Sequence, residues 1–265
     1  MNFYEWFFLE KDRPAAGLFS WSHLLTVTII LGGLLVLAFF LAKKFKDNPK
    51  RQRIVLIASA ASIVALYLMK IIFLLLTTDD VRNTLLENIP LFFCDAMIFV
   101  APIAAFSKGR VQEICLDFIA ICGFIMGFMG NYFAGNIYGS HPAFCYLSLI
   151  SAFDHSISAA LALFIFVSHL NKMEKRNIPF TIGIIFVLTS ITLVVDYTTG
   201  KNYMFLLGGD GTPFDIFFNL VNGNVVLYQI IVYVLHCGYI GLFYVIYYLI
   251  IKLINNKKKK EGTHE

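Results

Sequence analysis

A cysteine, a histidine and an aspartate in this chain have the residue types of a nucleophilic centre. A cysteine thiol attacks carbonyl carbons once a nearby base takes its proton, and histidine is the commonest such base. A carboxylate can then orient the imidazole. We predict that Cys94 is the nucleophile, that His155 moves the proton and that Asp196 orients it. The chemistry predicted is attack on an acyl carbonyl.

The position of Cys94 supports this prediction. An apolar stretch begins at Ile89-Pro90, and proline is favoured at a helix start because its missing N–H is not needed there. Cys94 should therefore lie within about one turn of a helix N-terminus. The positive end of the helix dipole favours negative charge, and hence the reactive thiolate.

Further polar side chains fall inside the apolar stretches or at their ends, nearly all toward the same side. Ionisable groups at membrane depth are costly and usually face the protein interior or a water-filled cavity. We therefore predict one polar, substrate-binding pocket that opens to the outer side. Its further members are Lys70, Asp95, Asn131, Asp154, Asn202, Tyr203, Gln229 and His236. Asp95 and Asp154 are alternative partners for the histidine, and Asn202 and Tyr203 are candidate donors to an oxyanion.

Each of these residues also has a purely structural interpretation. The long side chain of Lys70 can reach the outer interface, or it can pair with one of the aspartates. His155 can hold two helices together, and His236, alone on an apolar helix, is typical of a packing residue. An isolated cysteine such as Cys94 is commonly a small buried apolar group. The convergence of the whole set on one side favours a functional pocket.

Seven apolar stretches must position these residues. Each is about 18–27 residues long, enough to cross a hydrocarbon core of about 30 Å as a helix. The predicted fold is all-α, a multi-pass membrane protein with seven transmembrane helices. The predicted spans are Trp21–Leu41, Ile54–Thr77, Ile89–Ser107, Ile114–Phe133, Leu147–Ser168, Phe180–Tyr197 and Val225–Ile251.

The distribution of lysine and arginine predicts the orientation. The loops between successive spans are alternately rich and poor in these residues, beginning with six in the loop Ala42–Arg53. Basic loops face the cytoplasm. We therefore place the N-terminus outside and the C-terminus in the cytoplasm. The predicted divisions are an outer segment 1–20, one membrane domain 21–251 and a basic tail 252–265, with 198–224 as an outer lid or re-entrant loop.

Composition and cysteine spacing exclude several classes of protein. The chain is 58% hydrophobic with a net charge of only +4, which argues against both a soluble globular domain and a nucleic-acid-binding protein. Its five cysteines contain no CxxC pair, so we predict no metal site and no cofactor. Small residues at Gly123, Gly127 and Gly130 predict close packing of the fourth span against another helix.

Three segments resemble a known family. They are Ile89-Pro90-Leu91-Phe92-Phe93-Cys94, Phe153-Asp154-His155, and Asp196-Tyr197 followed by Lys201-Asn202-Tyr203-Met204-Phe205-Leu206. Together they resemble the YwaF-type integral membrane proteins of bacteria. That group is similar to a mammalian transmembrane acyltransferase that remodels ether phospholipids through a cysteine and, more distantly, to small membrane hydrolases of fatty-acid esters.

The resemblance implies a seven-helix fold in the bacterial cytoplasmic membrane with Cys94 as the acyl-carrying nucleophile. It also implies that His155, Asp196, Asn202 and Tyr203 lie in or near the site. The motif of the family often reads Leu-Pro-Leu-His-x-Cys, whereas this chain has Phe92 at the histidine position.

The function predicted is that of an acyltransferase or lipid esterase whose substrate is a membrane phospholipid or another acyl-lipid. The alternatives are a small-solute or proton-coupled transporter and a membrane protein without catalytic activity. We expect no nucleic-acid partner. The tetralysine run Lys257–Lys260 predicts contact with anionic lipid of the inner leaflet, with a solvated tail as the alternative.

Overall fold

The computed structural model describes residues 2–261, with side chains described for residues 2–253. This part of the chain contains helices and turns and no strand. The helices are α1 (Phe3–Phe7), α2 (Trp21–Phe45), α3 (Pro49–Thr77), α4 (Val81–Glu87), α5 (Ala96–Phe106), α6 (Gly109–Tyr132), α7 (Gly135–Tyr138), α8 (Tyr146–Ser168), α9 (Ile178–Thr199), α10 (Asp215–Leu220) and α11 (Val225–Glu261). Short 3₁₀ turns occur at Phe93–Asp95, Lys175–Asn177 and Tyr203–Phe205.

Six helices in the described residues are long and apolar enough to cross a membrane. They are α2, α3, α6, α8, α9 and α11, and they correspond to six of the seven predicted spans. The remaining span, predicted as Ile89–Ser107, contains a shorter apolar helix over Phe93–Phe106. An all-helical, multi-pass membrane protein is therefore confirmed, and the count of seven crossings stays a prediction.

The start of the third predicted span differs from expectation. Pro90 was expected at the helix N-terminus, but the helix begins three residues later with the 3₁₀ turn Phe93–Asp95. The side chain of Asp95 explains this start, because its Oδ2 accepts a hydrogen bond from the backbone N–H of Phe92 at 3.0 Å. A carboxylate at this position satisfies an N–H group that has no partner inside the helix.

The chain divides into two compact units, Met1–Lys172 and Met173–Glu265. In the first unit, α6 and α8 form the centre: 61% and 56% of their most apolar segments are buried, against 17% for α2 and α3. The outer helices expose large apolar side chains such as Phe40 and Leu76. Such surfaces are stable in lipid and unfavourable in water.

Glycines set the separation of α6 and α8. A Cβ atom at Gly123 would lie 2.6 Å from the carbonyl oxygen of Ser158, and one at Gly127 would lie 2.9 Å from that of His155. The two backbones therefore approach more closely than any side chain at these positions allows. The predicted close packing of the fourth span is confirmed, and its partner is the helix that carries Asp154 and His155.

The second unit contains α9, α10 and α11. Helix α9 ends at Gly200, whose φ of 70° lies in the left-handed region. The helix α11 continues through Glu261, so the basic run Lys257–Lys260 has helical backbone. The side chains of this run and the last four residues of the predicted tail 252–265 lie outside the described residues, and the anionic-lipid contact stays a prediction.

Candidate active site

Cys94 lies in the 3₁₀ turn that starts the helix Phe93–Phe106. Its side chain is half-buried and carries a free thiol. The position predicted from the sequence, in the first turn of a helix, is therefore the position observed. Backbone N–H groups at a helix start point toward a negative charge, and this arrangement suits a thiolate nucleophile.

Charged groups from two other helices act on the Cys94 thiol. Lys70 from α3 and Asp154 from α8 interact electrostatically with it, as does the neighbouring Asp95. The same lysine also acts on His155. The first unit thus brings together five predicted members of the polar pocket: Lys70, Cys94, Asp95, Asp154 and His155.

His155 is oriented by its own helix. Its Nδ1 atom lies 2.8 Å from the carbonyl oxygen of Ser151, one turn earlier, and 3.4 Å from the Ser151 hydroxyl. A carbonyl only accepts hydrogen bonds, so Nδ1 carries the proton and Nε2 of the neutral ring is left to accept one. The observed partner of Nδ1 is therefore a backbone carbonyl of the same helix, and the orienting role of Asp196 stays a prediction.

The ring of His155 packs against Gly130 of α6. A Cβ atom at Gly130 would overlap three atoms of the imidazole, including Nε2. The glycine therefore creates the space that the ring occupies. The sequence indicated Gly130 as a packing residue, but it did not indicate that a candidate catalytic side chain is what packs there.

Asp154 and Lys70 are close without a direct ion pair. Within the described residues, Lys70 has no carboxylate oxygen within 4.0 Å, and its ammonium group lies 5.9 Å from the ring centroid of Tyr67. The Oδ1 atom of Asp154 is buried and has no hydrogen-bond partner in the described residues. A buried carboxylate oxygen of this kind is available to a ligand, a proton or water.

Asn131 belongs to a network that joins helices. Its Nδ2 donates to the Gly127 carbonyl at 2.7 Å and to the Ser156 hydroxyl at 3.1 Å. The backbone carbonyl oxygen of Asn131 accepts a hydrogen bond from Nε2 of His23 on α2 at 2.8 Å. His23 is fully buried, and its Nδ1 accepts from the backbone N–H of Phe19. Through these contacts, Asn131 holds α2, α6 and α8 together.

In the second unit, Asp196 and Asn202 organise one loop. The buried carboxylate of Asp196 accepts a hydrogen bond from the backbone N–H of Tyr203 at 2.8 Å. Asn202 donates to the Gly208 carbonyl at 2.9 Å and to Asp210 at 2.7 Å, and it accepts from Leu207 at 2.8 Å. Both N–H groups of Asn202 thus have partners within the loop.

The Asn-Tyr-Met-Phe-Leu segment, residues 202–206, has an unusual backbone conformation. Met204 and Phe205 have φ values of 52° and 57°, which lie in the left-handed region and are unusual for residues other than glycine. Tyr203, Met204 and Leu206 are buried, whereas Ile216 and Leu220 of the same segment 198–224 are exposed. Side-chain hydrogen bonds and burial together hold a backbone conformation that these residues rarely adopt.

Gln229 and His236 lie on α11, and each has a contact within the second unit. Gln229 donates to the hydroxyl of Tyr197 at 3.2 Å. His236 is bonded to the carbonyl of Val232, one turn earlier in the same helix. Both contacts are consistent with the structural interpretation of these two residues, and their predicted place in a substrate pocket stays a prediction.

The fold and the site define the class: an all-helical, multi-pass membrane protein with a polar cluster around a half-buried thiol. The model of the TMEM164 family matches residues 18–247, which is most of the chain. The protein therefore belongs to the TMEM164 family. No curated protein and no solved structure gives a significant match.

Proposed function

We propose that this protein transfers or hydrolyses the fatty acyl group of a membrane lipid through Cys94. The observation that carries the proposal is the position of Cys94 in a helix-terminal turn, within electrostatic range of Lys70, which also acts on His155. Thiol and imidazole thus share one polar region inside a largely apolar unit. The resemblance to YwaF-type proteins and to a cysteine-dependent acyltransferase supports the same assignment.

The first half of the reaction forms an acyl thioester. Nε2 of His155 takes the thiol proton, and the sulfur of Cys94 attacks the carbonyl carbon of the lipid ester. The carbon–sulfur bond forms as the bond from carbon to the lipid oxygen breaks. The imidazolium then returns its proton to the leaving alcohol, so the first product is a lysolipid.

The second half releases the acyl group. A second lipid alcohol or a water molecule gives its proton to His155 and attacks the thioester carbon. The carbon–sulfur bond breaks and the Cys94 thiol regains its proton. An alcohol acceptor makes the protein a transferase, and water makes it an esterase. Carbonyl groups of lipids lie at the boundary of the hydrocarbon core, which fits a nucleophile at the end of an apolar helix.

The proposal includes seven crossings, with the N-terminus outside the bacterial cytoplasmic membrane. Helix Phe93–Phe106 covers about 21 Å at 1.5 Å per residue, so the preceding non-helical residues must supply the rest. Their backbone has partners: Tyr67 donates to the Asn88 carbonyl at 3.0 Å, and Asp95 accepts from Phe92. Irregular backbone at membrane depth requires such partners.

The charges of the loops support seven crossings over six. With a crossing at Phe93–Phe106, the basic loop Ala42–Arg53 lies on the same side as Lys108, Arg110 and the tetralysine run. Without this crossing, these later basic residues would lie on the opposite side. The positive-inside bias therefore favours an odd number of crossings.

The proposal is tested by lipid turnover in the absence of a membrane gradient. Purified protein in detergent is given a phospholipid with a labelled acyl chain, with and without a lysolipid acceptor. Wild type should release or exchange the label, and Cys94→Ala should not. The matched control is Cys237→Ala, which removes another half-buried thiol and should retain turnover. Equal turnover by wild type and Cys94→Ala would remove this cysteine from the mechanism.

A proton-coupled transporter is the second candidate. The observation that favours it is the buried Oδ1 of Asp154, which has no hydrogen-bond partner in the described residues and lies near Lys70 and Asp95. Carboxylates of this kind carry protons in many transporters. Gradient-dependent uptake into vesicles that is lost in Asp154→Asn and kept in Cys94→Ala would support this candidate and overturn the first.

A further inference from the structure

A second group of reactive side chains lies outside the site described above. Glu10 comes from the N-terminal segment, and His141 and Cys145 come from the loop that precedes α8. The carboxylate oxygens of Glu10 lie 2.9 and 3.0 Å from Nδ1 of His141. One ligating atom from each of the three residues lies within 4.8 Å of both others. The cluster therefore places an oxygen, a nitrogen and a sulfur atom close together.

Backbone hydrogen bonds fix the two segments that carry the cluster. The N–H of Ala16 donates to the His141 carbonyl at 2.9 Å, and the N–H of Gly17 donates to the Tyr138 carbonyl at 2.8 Å. Aromatic contacts add to these bonds, with Phe8 and Tyr146 at 5.0 Å between ring centroids. The side chains thus converge on rigid, adjacent segments, which is the condition for a preorganised site.

We propose that Glu10, His141 and Cys145 bind a divalent transition-metal ion, with zinc as the best fit. Zinc accepts carboxylate, imidazole and thiolate ligands and takes four of them in tetrahedral geometry. Calcium and magnesium are excluded by chemistry, because they prefer oxygen donors. The fourth position would be taken by water.

Tyr138 provides an independent observation that points to a ligand. Its side chain is fully buried, and its hydroxyl has no hydrogen-bond partner among the described residues. The residue interacts electrostatically with Cys145. Buried hydroxyls are normally hydrogen-bonded, so this one calls for a partner that is a water or an ion. A metal-bound water beside Cys145 supplies that partner.

Two other interpretations of the Glu10, His141 and Cys145 cluster explain fewer of these observations. With the Cys145 thiol donating to the Ser148 hydroxyl at 3.3 Å, a simple ion pair between Glu10 and His141 still leaves the buried Tyr138 hydroxyl without a partner in the described residues. A second nucleophilic centre requires an accessible thiol, whereas Cys145 is 0% exposed. Burial also raises the pKa of the Cys145 thiol, which opposes the thiolate in the absence of a metal. A bound metal ion instead displaces the thiol proton.

The consequence of metal binding would be structural. The ion would tie the N-terminal segment to the loop that leads into α8. Because a bound metal stabilises only the folded arrangement of its ligands, the melting temperature of the protein should rise with zinc concentration. This inference does not depend on the proposed acyl chemistry.

Cobalt(II) is the probe that tests the site. The full-length protein is purified in detergent without a polyhistidine tag, treated with a chelator and titrated with cobalt chloride. One equivalent should bind and give a thiolate-to-cobalt charge-transfer band in the near ultraviolet, and zinc should remove the band by competition. Cys145→Ser should lose the band. Glu10→Gln and His141→Ala should weaken binding by about tenfold or more.

The matched control is Cys122→Ser, which alters another fully buried free thiol and should keep the band. Absence of a charge-transfer band in wild type, or a band that survives in Cys145→Ser, would overturn the proposal. Glu10→Gln should still fold, because it changes a half-buried side chain by one atom, so a loss of cobalt binding in this variant reports on the site itself. Cobalt affinity equal to that of wild type in this variant would also contradict the site.

Discussion

Cys94 and Cys145, two cysteines of the first unit, belong to different polar clusters, and we assign them different chemistry. Cys94 is half-buried in a helix-terminal turn, with the cationic Lys70 acting on it. Cys145 is fully buried, next to the carboxylate of Glu10 and His141. A helix N-terminus and a cationic group near a partly exposed thiol favour a nucleophile, whereas a carboxylate and an imidazole around a fully buried thiol favour a metal ligand.

The comparison shows why residue type alone does not assign a role. Both residues are cysteines of the first unit, and each carries a free thiol in the structure. What separates them is burial and the surrounding groups: Lys70 and two carboxylates act on the half-buried Cys94, whereas Cys145 is fully buried beside Glu10 and His141. The following experiments test that separation, from the largest expected effect to the smallest.

Replacement of each cysteine by serine should affect lipid turnover very differently. Cys94→Ser should lower turnover by about 10³-fold or more, because the covalent intermediate can no longer form. Cys145→Ser should leave turnover per folded molecule within about twofold, a change smaller than that of one lost hydrogen bond. Turnover of labelled phospholipid in detergent measures both. Equal losses of turnover in Cys94→Ser and Cys145→Ser would contradict the assignment of different roles to the two cysteines.

Removal of the proposed base should have the next largest effect. His155→Gln keeps a side chain of similar size but cannot take a proton at neutral pH, so turnover should fall by about 10²–10⁴-fold. His236→Gln is the matched control, since His236 bonds to the carbonyl of the preceding turn in its own helix and should tolerate the change. An unchanged rate in His155→Gln would leave Cys94 without its base.

The contact between Gly130 and His155 should appear as a stability effect. Gly130→Ala places a methyl group where the imidazole lies, and overpacking of this kind costs about 1–3 kcal/mol. The cost should shrink in a His155→Ala background, because the ring is gone. Thermal unfolding in detergent of the two single variants and the double variant measures this coupling.

Gly33→Ala is the control for this experiment, because a Cβ atom there meets no other group within 4 Å. Its stability should be unchanged or higher by up to about 1 kcal/mol, the difference in helix propensity between the two residues. A loss at Gly33 equal to the loss at Gly130 would show a general effect of replacing helical glycines.

Asp196 tests whether the second unit takes part in the chemistry of Cys94. Its observed contact, acceptance of the Tyr203 N–H, survives in Asp196→Asn and is lost in Asp196→Ala. We expect turnover near wild type in the asparagine variant and a stability loss of about 1–3 kcal/mol in the alanine variant. Strongly reduced turnover of a stable Asp196→Asn protein would instead support the orienting role expected from the sequence.

Much of the fold could be predicted from the sequence, because a bilayer imposes one simple constraint on the backbone. Apolar runs long enough to cross a bilayer must satisfy their own backbone as helices, so six long helices were predictable to within a few residues at most ends. The start of the third predicted span was not, because Pro90 and Asp95 both carry signals for a helix start. The side-chain hydrogen bond of Asp95 to Phe92 decided between them.

Only part of the polar cluster in the first unit was predictable from the sequence, and its contacts were not. Depth along the spans indicated that Lys70, Cys94, Asp154 and His155 belong together. The partners of His155, a carbonyl four residues earlier and Gly130 on α6, depend on helix rotation, which spacing alone does not fix. Glu10 was missed as a partner of His141 because 131 residues separate them.

The central claim is that the sulfur of Cys94 carries the acyl group, and its most direct test is to locate that group. Protein incubated with a labelled phospholipid is quenched in acid, digested and analysed by mass spectrometry. The account predicts an acyl adduct on Cys94 that hydroxylamine removes and that forms more slowly in His155→Gln. An adduct on another residue, with Cys94 unmodified throughout turnover, would contradict the account.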